Sequence, residues 1–124
     1  MLKENMKKFR VGEWSAKITG VISVATHVTY PEETGDGTYV VNYGASLCSP
    51  TDLYNRRFGY ALAEDRLFDA PGAPYTGKFV TKKLSHNVVM MKVMLSLALD
   101  PHVSGWAVPV IYEVIRDGVY YCGL

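Results

Sequence analysis

Alternating apolar and polar residues mark two strands near the start of the chain. Over 16–30 the apolar side chains share one face and the polar ones the other, a pattern typical of a strand with one face in water. Residues 38–47 alternate in the same way, and the polar segment 31–37 separates the two runs. This arrangement predicts an antiparallel hairpin. Residues 1–10 are polar and charged, and we expect them to be flexible.

The middle of the chain has the signals of two helices. Ser49 can cap a helix that starts with Pro50, and Asp52 favours its positive end, so we predict a helix over 50–67. Ser85 can cap a second helix over 86–99, which Asp100-Pro101 ends. This second helix is apolar on nearly every side, so it should be buried in the core or in a subunit interface. Between them, 68–77 is predicted to be a loop and a candidate lid, and 78–84 fits either a short strand or a helical lead-in.

The C-terminal segment alternates as well. In 106–116 one face carries Val108, Val110, Tyr112 and Val114, and Asp117-Gly118 follows. A DG pair between alternating residues favours a two-residue turn, so we predict a hairpin that ends over 119–124. The order of elements predicts one α+β domain over 1–124. Its antiparallel sheet has about four to five strands, two N-terminal and two C-terminal, and its two helices pack on one face.

Composition excludes several classes of protein. The net charge is +1, from 13 Lys+Arg against 12 Asp+Glu, which is too balanced for a protein that coats duplex nucleic acid. No apolar run reaches the roughly 18 residues of a membrane span. The two cysteines, Cys48 and Cys122, favour reduced, buried thiols in the cytoplasm, although a bridge between them stays open. Signatures of metal binding, nucleophilic catalysis and glycine-rich phosphate loops are absent from the sequence, so we expect no cofactor and no enzyme activity.

The first predicted helix carries the main candidate binding site, at Tyr54, Arg56, Arg57 and Tyr60. A guanidinium matches phosphate bidentately, and an aromatic ring can stack on a base. Gly59 in the same helix costs about 1 kcal/mol relative to alanine, which indicates close approach by a backbone or a ligand. The start of the second helix supplies the other half of an anion site, at Lys82, Lys83 and His86. Alternatively, these charges are solvated or pair with acidic groups such as Glu64.

Residues 43–67, YGASLCSPTDLYNRRFGYALAEDRL, resemble a pattern in small phage proteins. In that pattern a strand ends in Cys-Ser-Pro-x-Asp, and an aromatic residue, a basic pair, a glycine and Arg-Leu follow. The segment is similar to the anti-Thoeris sponge proteins of phages, and it departs from them at Tyr60, where a basic residue is expected. The resemblance implies an oligomer that sequesters a cyclic ADP-ribose signal without catalysis. It also implies that Arg56 and Arg57 contact phosphates while a nearby aromatic residue stacks on adenine.

Two functions from different classes therefore compete. The first is a sponge that binds a nucleotide-derived signal, either cyclic ADP-ribose-like or a cyclic oligonucleotide, in the host cytoplasm. The second is an inhibitor or accessory factor that docks on a host protein through an apolar methionine and aromatic surface. An enzyme of unknown type and a structural role in the virion are further alternatives. We expect a homo-oligomer, because nine tyrosines, four phenylalanines and five methionines exceed what a small domain readily buries.

Overall fold

A four-stranded antiparallel sheet forms the centre of the molecule. The computed structural model describes residues 6–11, 20–49, 55–68 and 74–122, excluding the side chains of residues 56 and 117–122. The strands lie side by side in chain order: β1 (Met6–Val11), β2 (Val21–Thr29), β3 (Tyr39–Cys48) and β4 (Thr76–Thr81). The helices are α1 (Pro31–Thr34), α2 (Arg56–Leu67), α3 (His86–Ala98) and α4 (Ala107–Cys122). This architecture confirms the predicted α+β class.

The predicted N-terminal hairpin is confirmed. β2 and β3 pair antiparallel from Val21 opposite Cys48 to Thr29 opposite Val40. The polar segment between them forms α1, a single turn that ends at Gly35 with φ of 77°.

The prediction that residues 1–10 are flexible is wrong for residues 6–10, which belong to β1 (Met6–Val11) at one edge of the sheet. In this strand Phe9 and Val11 reach the core, so alternation over only two apolar positions is enough to anchor it. Residues 1–5 lie outside the described part.

Helices cover both faces of the sheet. Successive strand residues point to opposite sides, so the two faces follow from the register. One face packs against α3 and α4 and contributes Phe9, Val11, Ile22, Val24, Val28, Val41, Tyr43 and Ala45 to the main core. The opposite face packs against α2, where Ala25 contacts Ala63 and Leu67.

Two predictions about these faces are therefore wrong. The two predicted helices do not share one side of the sheet, because α2 and α3 lie on opposite sides. The polar face of β2 is not wet, since Ser23 and His27 are only 1% and 7% exposed. Both errors have the same cause: small and polar residues on that face are covered by a helix rather than by water.

Two glycines let α2 approach the sheet closely. A Cβ atom on Gly44 would lie 2.3 Å from the backbone nitrogen of Leu67 and 2.5 Å from the carbonyl oxygen of Ala63. A Cβ atom on Gly59 would lie 2.8 Å from Ser23 Oγ. The Ser46 hydroxyl donates a hydrogen bond of 2.7 Å to the Gly59 carbonyl. The close approach predicted at Gly59 is thus made by the sheet.

The predicted start of the first helix is wrong. Asn55 has extended backbone, and its side chain accepts a hydrogen bond of 2.9 Å from the Phe58 backbone N–H. Asn55, rather than Ser49, therefore caps the helix that ends at Leu67. The segment 78–84, which fitted either a strand or a helical lead-in, is a strand as far as Thr81. Gly77 belongs to the same strand, β4, rather than to the predicted loop. Residues 50–54 lie outside the described residues, and so do residues 69–73, the middle of the candidate lid predicted over 68–77.

The prediction for the second helix is confirmed to within one residue. Ser85 caps α3, its hydroxyl oxygen accepting a hydrogen bond of 3.2 Å from the Val88 backbone N–H. The sheet and α4 bury the helix within a single chain, at Val89, Met91, Val93, Met94 and Leu97. Over the part of the chain that the structure describes, no helix has the length and hydropathy needed to cross a bilayer.

The predicted C-terminal DG hairpin is wrong, because the segment forms α4. The sequence satisfies two periods at once, since strand alternation and a helical stripe share Val110 and Val114. The helical stripe is the one that is buried, and it comprises Ala107, Val110, Ile111, Val114 and Ile115. Pro109 fits the first turn of a helix, whereas in a central strand it would remove a ladder hydrogen bond. The sheet therefore has no C-terminal hairpin among the described residues.

The β4 edge of the sheet is covered by one lysine. Lys92 of α3 donates a hydrogen bond of 3.4 Å to the Val80 carbonyl. Its ammonium lies 5.8 Å from the centre of the Phe79 ring. A lysine placed at a sheet edge disfavours pairing with a further strand, so this edge is protected.

Candidate anion-binding site

The edge strand β1 carries a concentration of positive charge. Lys7 and Lys8 are exposed and Arg10 is half-buried. Lys8 and Arg10 point to the side of α2, because they alternate with Phe9, whose side chain packs in the core beneath α3 and α4. In a chain with a net charge of only +1, three cations on one short strand form a local positive patch.

On the α2 side, both cations lie near one aromatic ring. Lys8 Nζ is 5.7 Å and the Arg10 guanidinium carbon 5.9 Å from the centre of the Tyr60 ring. Lys8 also forms an ion pair with Glu64, one turn further along α2. We call these four residues, Lys8, Arg10, Tyr60 and Glu64, the Tyr60 cluster. Arg57, exposed and three residues before Tyr60, lies on the neighbouring part of the same helix surface.

On the α3 side, β1 borders a cavity of about 210 Å³ at the start of α3. His86 is the first residue of α3, and its ring meets Phe9 edge to face with 5.5 Å between the ring centres. The N–H groups of the first helical turn favour anions. We call this the α3 cavity; its lining residues are Lys7, Lys8, Phe9, Thr26, Val28, Tyr30, Leu84, Ser85, His86 and Val89.

The structure rearranges the predicted site. Arg57 and Tyr60 belong to α2, on one side of the sheet, whereas His86 begins α3 on the other side, so the two predicted halves of the anion site do not lie on the same face. Lys82 and Lys83 are exposed, and the Lys83 backbone N–H donates to the Thr81 hydroxyl at 3.3 Å. Tyr54 and the Arg56 side chain lie outside what the structure describes.

Sequence reasoning missed Lys7, Lys8 and Arg10, the residues that connect the two halves. Lys8 lines the α3 cavity and also contacts Tyr60 and Glu64, so β1 links both sides. The signal was present in MKKFRV, where basic and apolar residues alternate as in a strand edge. Residues 1–10 are predicted to be flexible because they are polar and charged, and that reasoning overlooks the alternation.

A second polar cluster lies at the turn before β4. Tyr75 has a positive φ of 60°, a strained conformation for a bulky residue. Its backbone N–H donates to Asp100 Oδ2 at 3.0 Å, and its hydroxyl donates to the His102 carbonyl at 2.6 Å. Partial burial of Asp100 raises its pKa, but hydrogen bonds from His102 and Tyr75 outweigh it, so the pKa is lowered overall. The Asp100–His102 pair, with 3.1 Å between Nδ1 and Oδ1, holds this turn.

The described groups of this surface are mainly cationic and aromatic. Within the described segments, no group of three or more His, Cys, Asp or Glu side chains could hold a metal ion. Cys48 is half-buried at the end of β3. The side chain of Cys122 is outside the described part of the chain, and with it the alternative of a bridge between the two cysteines. The Tyr60 cluster and the α3 cavity instead combine ammonium, guanidinium and aromatic groups, which suit phosphates and planar rings.

Comparison of the sequence with protein-family models found no match, and comparisons with curated proteins and with solved structures found no significant similarity.

Proposed function

We propose that the protein is a phage-type anti-defence protein that binds and sequesters a nucleotide-derived signalling molecule without transforming it. The ligand is a cyclic ADP-ribose-like molecule or a cyclic oligonucleotide. The observation that carries this proposal is the placement of cations and aromatic rings on both sides of β1. The resemblance of residues 43–67 to phage sponge proteins points to the same ligand class.

The geometry favours a ligand that extends beyond one enclosed pocket. Small-molecule sites commonly enclose about 300–1,000 Å³, whereas the α3 cavity has about 210 Å³. A cavity of that size suits a base or a phosphate group rather than a whole dinucleotide. The rest of the ligand would lie over β1, where Lys8 continues the positive surface toward Tyr60.

The proposal is tested by thermal unfolding with cyclic ADP-ribose, cyclic dinucleotides and cyclic trinucleotides. A ligand at one hundred times its Kd adds about 2.7 kcal/mol, which raises Tm by roughly 10 °C in a domain of this size. The double variant Lys7→Ala, Lys8→Ala should lose this rise. Lys78→Ala, which removes an exposed lysine of β4, should keep it. If none of these ligands raises Tm, the proposal fails; recovery of a chemically altered ligand would instead indicate an enzyme.

A second candidate function is docking on a host protein, and exposed apolar residues favour it. Leu95 of α3, Leu99 at its C-cap, and Val108 and Tyr112 of α4 have between 39% and 86% of their surface exposed. Two of the methionines predicted for this surface, Met91 and Met94, cannot contact a partner there, because they are only 2% and 0% exposed.

We propose that the same helices hold the expected homo-oligomer together. Light scattering at micromolar concentration tests this, and Leu95→Lys with Leu99→Lys should shift an oligomer to the monomer.

A further inference from the structure

The ion pair between Lys8 and Glu64 lies inside the proposed binding surface. Lys8 borders the α3 cavity, and its ammonium contacts the Glu64 carboxylate and the Tyr60 ring. Arg10 approaches the same ring. Glu64 is thus the carboxylate within the Tyr60 cluster, and it is paired with Lys8. The Lys8 and Glu64 side chains are 40% and 26% exposed, so water and solutes can reach the pair.

Resting on the proposed function, we infer that Glu64 is a resident counter-ion that occupies the position at Lys8 which an anionic group of the ligand takes on binding. Without ligand, Glu64 compensates part of the charge of Lys8 and Arg10 and limits the attraction of abundant small anions. With ligand, a phosphate group replaces the carboxylate at the ammonium. Glu64 therefore lowers the affinity of the site and acts as an internal competitor.

The size of the effect follows from the exposure of the pair. Ion pairs in water-accessible positions are worth roughly 0.2–1 kcal/mol, which corresponds to about a 1.4- to 5-fold change in affinity. Since Coulomb energy is proportional to charge, removal of the Glu64 charge should help a dianion more than a monoanion. Glu64→Gln keeps the shape of the side chain and removes only its charge.

The experiment is calorimetric titration of the full chain with AMP and with cyclic AMP. Both probes have the same base and sugar, but the monoester of AMP carries about two negative charges at neutral pH, and the cyclic diester carries one. Three proteins are compared: wild type, Glu64→Gln, and Asp65→Asn as the control. Asp65 is the next residue of α2 and is exposed, so its variant makes the same change in net charge away from Lys8.

We expect Glu64→Gln to bind cyclic AMP about 1.4- to 5-fold more tightly and AMP with a larger gain, while Asp65→Asn changes both by less. Raised salt should shrink the gain, because screening weakens exposed charges. If wild type binds the nucleotides and Glu64→Gln binds them equally or more weakly, the counter-ion inference is overturned and the proposed function stands. If neither protein binds AMP or cyclic AMP although one of the proposed cyclic ligands raises Tm, the counter-ion inference is overturned and the proposed function stands. If none of the proposed ligands raises Tm either, the proposed function is overturned with it.

Discussion

Adding one methyl group at Gly44 should disrupt the packing of α2 on the sheet. The new Cβ atom would lie 2.3 Å from the Leu67 nitrogen and 2.5 Å from the Ala63 carbonyl oxygen, against about 3.5 Å or more for an ordinary contact. Both neighbours are backbone atoms, so α2 must shift by roughly 1 Å. That shift loosens Ala63 and Leu67, which are 0% and 6% exposed.

The expected net cost of Gly44→Ala is about 2 kcal/mol, from the upper end of the overpacking range less the entropy that alanine regains. Overpacking of a tight interior costs roughly 1–3 kcal/mol and occasionally more, and alanine regains about 0.5–1 kcal/mol of chain entropy. Gly59→Ala is the matched comparison, because its close neighbour at 2.8 Å is the terminal Oγ of Ser23. In the helix this change also gains about 1 kcal/mol in propensity. We therefore expect Gly59→Ala to change the free energy of unfolding by less than Gly44→Ala.

Urea titration followed by circular dichroism measures these differences, and Ser23→Ala provides the decisive background. Without the Ser23 hydroxyl, the Cβ atom at position 59 meets Ser23 Cβ at an ordinary 3.5 Å. Gly59→Ala should then be stabilising by about 1 kcal/mol, while Gly44→Ala should remain destabilising. A Gly44→Ala protein with the wild-type urea midpoint and slope would show that α2 does not pack on this face.

Further predictions concern the core, a turn and the Asp100 cluster. Ile111→Ala removes a fully buried side chain of α4 and should lower the free energy of unfolding by about 2–5 kcal/mol in the same urea assay. A much smaller loss would mean that Ile111 is exposed, as it would be on one face of the predicted hairpin. Gly35→Ala, at φ of 77° with no atom near the added Cβ, should cost about 1–2 kcal/mol from backbone strain alone, and no change in Tm would contradict the left-handed conformation. The pKa of Asp100 is lowered in the folded state, because hydrogen bonds from His102 and Tyr75 outweigh the effect of burial. The ionised Asp100 therefore stabilises the fold at pH values above its unfolded pKa of about 3.8. This stabilisation is lost as the pH falls through the lower pKa of the folded state. Asp100→Asn should therefore reduce stability at neutral pH and flatten this acid loss, and an unchanged pH profile of unfolding would count against it.

Local signals predicted the elements whose patterns allow one interpretation. The β2–β3 hairpin and the Ser85 cap of α3 follow from alternation and from a serine before an apolar run, and both are confirmed. The C-terminal segment fits both the two-residue repeat of a strand and the 3.6-residue repeat of a helix. It forms a helix because its helical stripe is buried against α3. That decision depends on a distant part of the chain, and so it could not be made from the segment itself.

The candidate site was predicted less completely than the fold. Tyr60 and His86 were predicted from residue type alone. In the structure Tyr60 lies beside Lys8, and His86 lines a cavity together with Lys7 and Lys8. The cations themselves, Lys7, Lys8 and Arg10, enter the site only because β1 pairs with β2. Pairing between segments determines which charges come together, and residue spacing along one helix does not contain that information.

The contact of Lys92 with Val80 makes the two edge strands of the sheet differ, because on β4 an ammonium from a helix contacts a backbone carbonyl of the strand. A foreign strand that adds beside β4 must first expel an ammonium held by a carbonyl and an aromatic ring. Lysine acylation would remove that charge, and the Val80 carbonyl would then be open to a neighbouring chain. Preparations in which Lys92 is acylated should therefore be more prone to fibrous aggregation than untreated protein.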